Sequence, residues 1–396
     1  MSGVRRIASS CGAALLACAG LAHGGQPPKA AAKPARPAAA QNAGTSFDRL
    51  VEQATAARNA QHWEEAIALY ARTVKVKPSY VEGYWYQGTA YYTLEKFAQC
   101  RDQFRTVARL APKNGAAQAF LGLCEFGLKN YDRALQHLLQ SRVLGVGDVP
   151  DLGSAARYHA AVLMTRMEQY EQALETLGEF ASEGDDNPRV IEAMGLATLR
   201  MAMLPVEAPP DRRERILMAG RASYLMATRN TAGAAKAFEA LVARYSDAPN
   251  VHYAYAVFLL LEQPDRAIEE LARELEIQPE HPWSLMQLAY EYLKRGDGAA
   301  ALPWAKRAVA VAPNAFPARK ALGQALLENG EIEGAISELQ TGIRLAPESP
   351  GLHFQLARAY QRAGRLEEAT RERNEFTRLD RIARTLRTGA QSIGGR

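Results

Sequence analysis

The chain repeats itself every 34 residues, and that period limits its fold more than any other feature. Ala66, Cys100 and Ala134 stand 34 apart, and Ala267, Ala301, Ala335 and Ala369 keep the same interval. Proline keeps it from Pro78 to Pro112, and again from Pro279 through Pro313 to Pro347. A third set of small residues follows: Gly88 and Gly122, then Ala289, Gly323 and Ala357. Three markers at one period define a repeated supersecondary unit rather than one globular core.

Each marker has a mechanical reason. Tyr84 and Tyr91 fall on one helical face around Gly88, and the small residue between them admits a second helix, on which Cys100 supplies the matching small contact. Gly296, Gly330 and Gly364 stand where a first helix ends and the chain must reverse through a left-handed residue. The prolines follow the second helix, where continuation is unwanted. Alanine is abundant and β-branched residues are sparse, which favours helix over sheet. The unit is therefore an antiparallel helix pair with two apolar flanks, stable only when stacked on its neighbours.

This pattern resembles the tetratricopeptide repeat. The family's Trp-x-x-Leu-Gly-x-x-Tyr, Ala-x-x-x-Phe and Pro positions are met by Tyr84, Gln87, Gly88, Tyr91, Cys100, Phe104 and Pro112, and by Leu322, Gly323, Leu326, Ala335, Leu339 and Pro347. Further copies centre on Ala173, with Tyr170 and Leu177, and on Ala234, with Phe238. The resemblance spans residues 46 to 380. It implies an all-α fold, an α-solenoid coiled into a right-handed superhelix, with a concave groove lined by the first helix of each pair.

The register slips between Ala173 and Ala234, which are 61 residues apart. The interval contains MLPVEAPPD, residues 203–211, and predicts a first helix over 189–203, a Pro-rich loop over 204–210 and a second helix over 211–228. On this reading the loop separates an N-terminal array, 46–203, from a C-terminal array, 211–385, that ends in a capping helix; residues 386–396 form a disordered tail. Hinge and passive insertion both stay open for the loop. In LLEQPDRA the turn before Ala267 is one residue short.

The first 45 residues have another character. Arg5 and Arg6 precede the apolar stretch Ile7 to Ala22, which reads as a secretory signal peptide over residues 1–22. Residues 23–45, rich in Ala and Pro, read as a tether. Two exits stay open: cleavage after small residues near Ala19 or Ala22, or lipidation of Cys18 within the lipobox-like Leu15-Leu16-Ala17-Cys18 and membrane attachment through that lipid. Either sends the chain to the periplasm or the outer membrane.

Charge and chemistry remove other classes. Residues 1–36 hold five basic side chains and no acid, so the remainder balances at 43 of each sign and offers no basic face for nucleic acid. Cys100 and Cys124, the two cysteines of the body, fall at helical core positions and are expected as separate buried thiols. The seven histidines have no metal-ligand spacing, and no nucleophile elbow, phosphate loop or dinucleotide fingerprint occurs. No enzymatic activity, cofactor or metal is expected.

One helical step from the Tyr84, Gly88, Tyr91 line runs a second line, Trp85, Thr89, Tyr92, and the same offset recurs along the chain. Its aromatic members, Trp85, Tyr92, Phe126, Tyr158, Tyr253, Tyr290 and Phe354, are the candidate groove residues for an extended peptide or a partner helix. For each, packing against a neighbouring repeat is the competing reading. The family's carboxylate-gripping Lys-x-x-x-Asn has only Lys320-x-x-x-Gln324 as a counterpart, with Gln355 following and no third repeat in register. The function expected is a non-catalytic protein-protein interaction scaffold of the bacterial cell envelope; the alternative is a carrier or sensor for an apolar small molecule or glycan.

Overall fold

The structure, a computed structural model, describes residues 39–147 and 149–393. The leader with Cys18, and the greater part of the tether, lie outside the described residues. Within them the chain forms 19 α-helices and no strand, in two compact units, one up to Thr228 and one from Arg229 onward.

The first unit is built of five helix pairs: α1 (Ala39–Asn59) with α2 (Trp63–Val76), α3 (Val81–Thr93) with α4 (Phe97–Leu110), α5 (Gly115–Gly127) with α6 (Tyr131–Leu144), α7 (Pro150–Arg166) with α8 (Tyr170–Ser182), and α9 (Pro188–Thr198) with α10 (Arg213–Ala227). The second opens with α11 (Thr231–Arg244) and continues with α12 (Val251–Leu259) and α13 (Pro264–Ile277), α14 (Pro282–Lys294) and α15 (Gly298–Val311), α16 (Phe316–Glu328) and α17 (Ile332–Leu345), and α18 (Pro350–Arg362) and α19 (Leu366–Ile393). Each is an all-α solenoid in which every pair packs on the next. In the second unit the first helices of successive pairs also meet, α14 with α16 and α16 with α18, while the second helices stay further apart, so that stack curves toward its first helices.

The periodic residues sit where the repeat logic requires. Ala66, Cys100, Ala134, Ala173, Ala234, Ala267, Ala301, Ala335 and Ala369 are all wholly buried. On three first helices the small residue receives a bulky side chain from the second: a Cβ at Gly88 would lie 2.6 Å from Phe104, at Gly122 2.6 Å from Leu138, and at Gly323 2.5 Å from Leu339. None of these separations is one a real Cβ occupies. In α9 and α10 the approach is closer, backbone against backbone, because a Cβ at Gly195 would meet the Ile216 carbonyl oxygen at 1.9 Å and one at Gly220 the Ile191 oxygen at 1.9 Å.

That pair corrects the reading of the Pro-rich stretch. Residues 204–210 join α9 to α10 inside the first unit as an elongated turn carrying two short 3₁₀ segments, Pro205–Glu207 and Pro210–Arg212. The division between units falls one helix later, after Thr228. Helix α9 also stops at Thr198, short of 203. At the two ends helix reaches further than expected: α1 begins at Ala39, because Ala39, Ala40 and Gln41 are good helix formers, and α19 runs to Ile393, through a single Gly389 that is too little to end it.

Cysteine pairing is a second correction. Cys100 of α4 and Cys124 of α5 are joined by a disulfide, their Cα atoms 6.1 Å apart, within bridging reach. Both positions are core positions of their own pairs, but stacking lays the second helix of one pair against the first helix of the next. The bridge therefore crosses a repeat boundary.

The reversal between paired helices differs between the units. In the second, Gly296, Gly330 and Gly364 take positive φ, as expected. In the first the equivalent left-handed position is held by Gln61, Glu95, Lys129 and Glu168. An L-residue there costs about 1–2 kcal/mol, part of which glycine's greater unfolded freedom would offset. The shortened turn between α12 and α13 contains no residue with positive φ. Glu95→Gly and Lys129→Gly should therefore each stabilise the chain by about 0.5–1 kcal/mol, and Gly330→Ala should destabilise it by a similar amount. Urea unfolding midpoints of the three variants check both signs.

Candidate functional site

In the first unit the expected groove aromatics are wedged between repeats. Trp85 of α3 is half-buried, edge-on to Phe104 at 5.2 Å and to Phe120 at 5.5 Å, and those two rings stack on each other at 4.6 Å. Tyr92 lies edge-on to Phe97 at 6.0 Å and to Phe120 at 5.6 Å. Phe126 of α5 meets His159 of α7 at 4.8 Å, and Tyr158 meets the same imidazole at 5.5 Å. Burial pushes the His159 pKa down, and its Nδ1 donates to the Ala155 carbonyl at 2.8 Å, so the ring is a neutral packing element. Sequence reasoning missed Phe120 and His159, although both lie one position from the proposed line. Other members of that line, Ala119, Leu123, Val162 and Thr165, are buried outright.

In the second unit the line divides. Tyr253 is buried, 5.0 Å from His281, and presents no ring face; Met286 and Leu293 are buried too. Tyr290 of α14 is half-buried, and its hydroxyl donates to the Pro317 carbonyl at 3.2 Å; burial pushes its pKa up. The Lys320 ammonium of α16 stands 5.0 Å from the Tyr290 ring centre, and burial lowers its pKa. Phe354 of α18 is 43% exposed beside Phe376.

Between Tyr290 and Phe354 runs a polar wall. Gln324 bonds Gln355 across α16 and α18 at 3.3 Å, Arg358 donates to Gln355 at 3.0 Å, and Arg362 donates to the Leu327 carbonyl. Glu328 is the acidic group on this wall and accepts from Gln324 at 3.2 Å. Among the described residues no carboxylate forms an ion pair with Lys320, Arg358 or Arg362. Lys320, Gln324 and Gln355 are thus brought together, but the two amides engage each other.

Among the described residues no group of three or more His, Cys, Asp or Glu is placed to hold a metal ion, and no helix is long and apolar enough to cross a membrane. A hollow of about 490 Å³ at Phe316, Ala346, Pro347, Glu348 and Ser349 lies at the loops between pairs. The arrangement in each unit is an α-solenoid of paired helices.

Family models agree. One described as "Tetratricopeptide repeat" matches residues 51–99, 87–144 and 220–282, and one described as "TPR repeat" matches 323–364, about half of the chain together. The chain belongs to the tetratricopeptide repeat family, whose members serve as protein-interaction scaffolds. No curated protein matches it in sequence. Among solved structures, MamA from residue 41 to its end, from Desulfovibrio magneticus RS-1, is 21% identical over 43% of this chain and 96% of its own, with a TM-score of 0.40. MamA of AMB-1 is 23% identical over 42% and 97%, with a TM-score of 0.37. A further MamA crystal structure is 17% identical over 41% and 96%, at 0.38.

The two kinds of aromatic should respond differently to truncation. Trp85→Ala removes a ring packed on Phe104 and Phe120 and should cost about 2–3 kcal/mol of folding stability, whereas Phe354→Ala at the exposed end of the line should cost under about 1 kcal/mol. Denaturant titration of both variants separates packing from surface.

Proposed function

We propose that this chain is an exported, non-catalytic scaffold that holds an acidic segment of a partner protein along the α14–α16–α18 face of its second unit. The observation that carries this reading is a set of cations, Lys320, Arg358 and Arg362, without carboxylate partners, between Tyr290 and the exposed Phe354. Lys320 is partly desolvated before any partner arrives, so a carboxylate placed on it recovers a larger electrostatic interaction than it would from a water-exposed amine. Arg358 and Arg362 offer planar donors suited to bidentate pairing. Tyr290 and Phe354 supply apolar anchors at the two ends of the wall. A carrier for an apolar small molecule is less well supported, because the aromatic rings of the first unit pack on one another.

Export rests on the leader composition, and envelope residence follows from it. A buried disulfide between Cys100 and Cys124 suits an oxidising compartment. Lipid on Cys18 would keep the scaffold at a membrane, with the residues before α1 as its tether.

In-cell crosslinking followed by pull-down from membrane and soluble envelope fractions tests the reading, comparing the parent with Lys320→Glu/Arg358→Glu. The expected result is loss of a specific acidic partner from the variant with helicity unchanged. Undiminished recovery of every partner overturns the proposed face. Native mass spectrometry showing a bound small molecule would instead favour the carrier.

A further inference from the structure

Three repeats of the second unit carry the same polar arrangement, and two of them use histidine. Arg319 near the start of α16 donates from Nη1 to Glu338 of α17 at 2.7 Å and from Nε to the Pro313 carbonyl at 3.0 Å, six residues back. His353 of α18 places Nδ1 2.6 Å from Glu372 of α19 and Nε2 3.0 Å from the Pro347 carbonyl, again six residues back. His252 of α12 places Nδ1 2.5 Å from Glu270 of α13 and Nε2 2.9 Å from the Ser246 carbonyl, also six back. The separation to the carboxylate is 19, 19 and 18 residues, the last shortened by the missing residue in the α12–α13 turn. Each group ties the first helix of a pair both to its own second helix and to the segment that ends the preceding helix.

The chemistry of the ring decides what this means. A carbonyl oxygen only accepts, so Nε2 must carry hydrogen; an ionised carboxylate only accepts, so Nδ1 must carry one as well. A neutral imidazole has a single N–H and cannot serve both. The His252–Glu270 pair therefore holds one proton more than neutral imidazole with carboxylate, and arginine, a permanent cation, fills the same place at Arg319 in the α16–α17 repeat. Loss of that proton sets a ring lone pair against an oxygen lone pair in a buried site.

We propose that His252–Glu270 is a proton-dependent clasp between repeats of the second unit, closed when the pair is protonated and released as the pH rises beyond the imidazole range. The surroundings favour the closed form. His252 is held by Glu270, has Glu274 nearby on α13, and has Arg273 at one remove, paired with Glu270 at 3.0 Å. Its hydrogen bond to Glu270 raises the His252 pKa above the ordinary value of 6.5. The clasp at His252 thus contributes its full stabilisation below that ordinary value and loses it as the pH climbs through the raised one. His137 and His159 of the first unit behave oppositely, since burial lowers their pKa; their stabilisation is present above the ordinary value and is lost as pH falls.

The test uses the full chain. Selective ¹⁵N labelling of histidine should show both ring nitrogens of His252 still protonated at about pH 6.5, where His137 and His159 have lost more of their charge. As the pH rises from about 6.5 through the raised His252 value, the urea midpoint of the parent should fall, while that of His252→Arg should stay level. If arginine is not accommodated, Glu270→Gln keeps the shape and should move the His252 titration to lower pH. A singly protonated His252 ring at pH 6.5, or a parent-like fall in the arginine variant, would overturn the proposal. So would a titration unmoved by the glutamine substitution.

Discussion

The α3–α4, α5–α6, α9–α10 and α16–α17 pairs are each fastened by a contact that tolerates no substituent. The side chain of Phe104, Leu138 or Leu339 occupies the space a Cβ would need on Gly88, Gly122 or Gly323. Helices that close leave little room for solvent along their seam, and the apolar residues displaced from it point to the flanks, where only another pair can cover them. Stacking is thus a consequence of close pairing. The α9–α10 pair takes this to its limit, with Gly195 and Gly220 bringing backbone to backbone and Thr198 bonding Ser223 at 2.6 Å across the seam. A seam so specific admits a long turn at its end, which is why residues 199–212 do not disturb the pairing.

The same seam makes much of the fold legible in the sequence. Small residues and prolines 34 apart report backbone geometry, and backbone geometry repeats. The disulfide was illegible because Cys100 and Cys124 each satisfy the rules of their own pair; only the offset between successive pairs lays one against the other. The left-handed positions were half legible. Glycine announces them in the second unit, while Gln61, Glu95, Lys129 and Glu168 conceal them in the first.

The candidate face was legible as a line of residues and not as a surface. A one-residue offset turns about 100° around the helix, which on a helix packed on three sides still meets a neighbour rather than solvent. Alanine, leucine and valine on that line sink into the repeat boundary, and aromatic residues, being longer, wedge across it. The polar members Lys320, Gln324 and Gln355 were read only as an incomplete carboxylate clamp. Gln355 and Arg358 have no apolar signal, and their relation to Lys320 and Gln324 exists only across α16 and α18.

Buried carboxylates account for the remaining local geometry. Glu274 of α13, wholly buried, accepts from the backbone N–H groups of Asn250 at 2.8 Å and Tyr253 at 3.1 Å, and from the Gln278 amide at 2.6 Å. It takes the place of an N-cap for α12, whose own Asn250 is turned into the left-handed region and makes no side-chain cap. A carboxylate at a helix N-terminus is stabilised by the dipole it faces, and its charge in turn favours the cation on His252 one turn away. The irregular turn at α12 and the short register of LLEQPDRA therefore share a cause: without the usual left-handed reversal, the second helix anchors the first through side chains. Where the regular repeat relies on glycine, this one relies on charge.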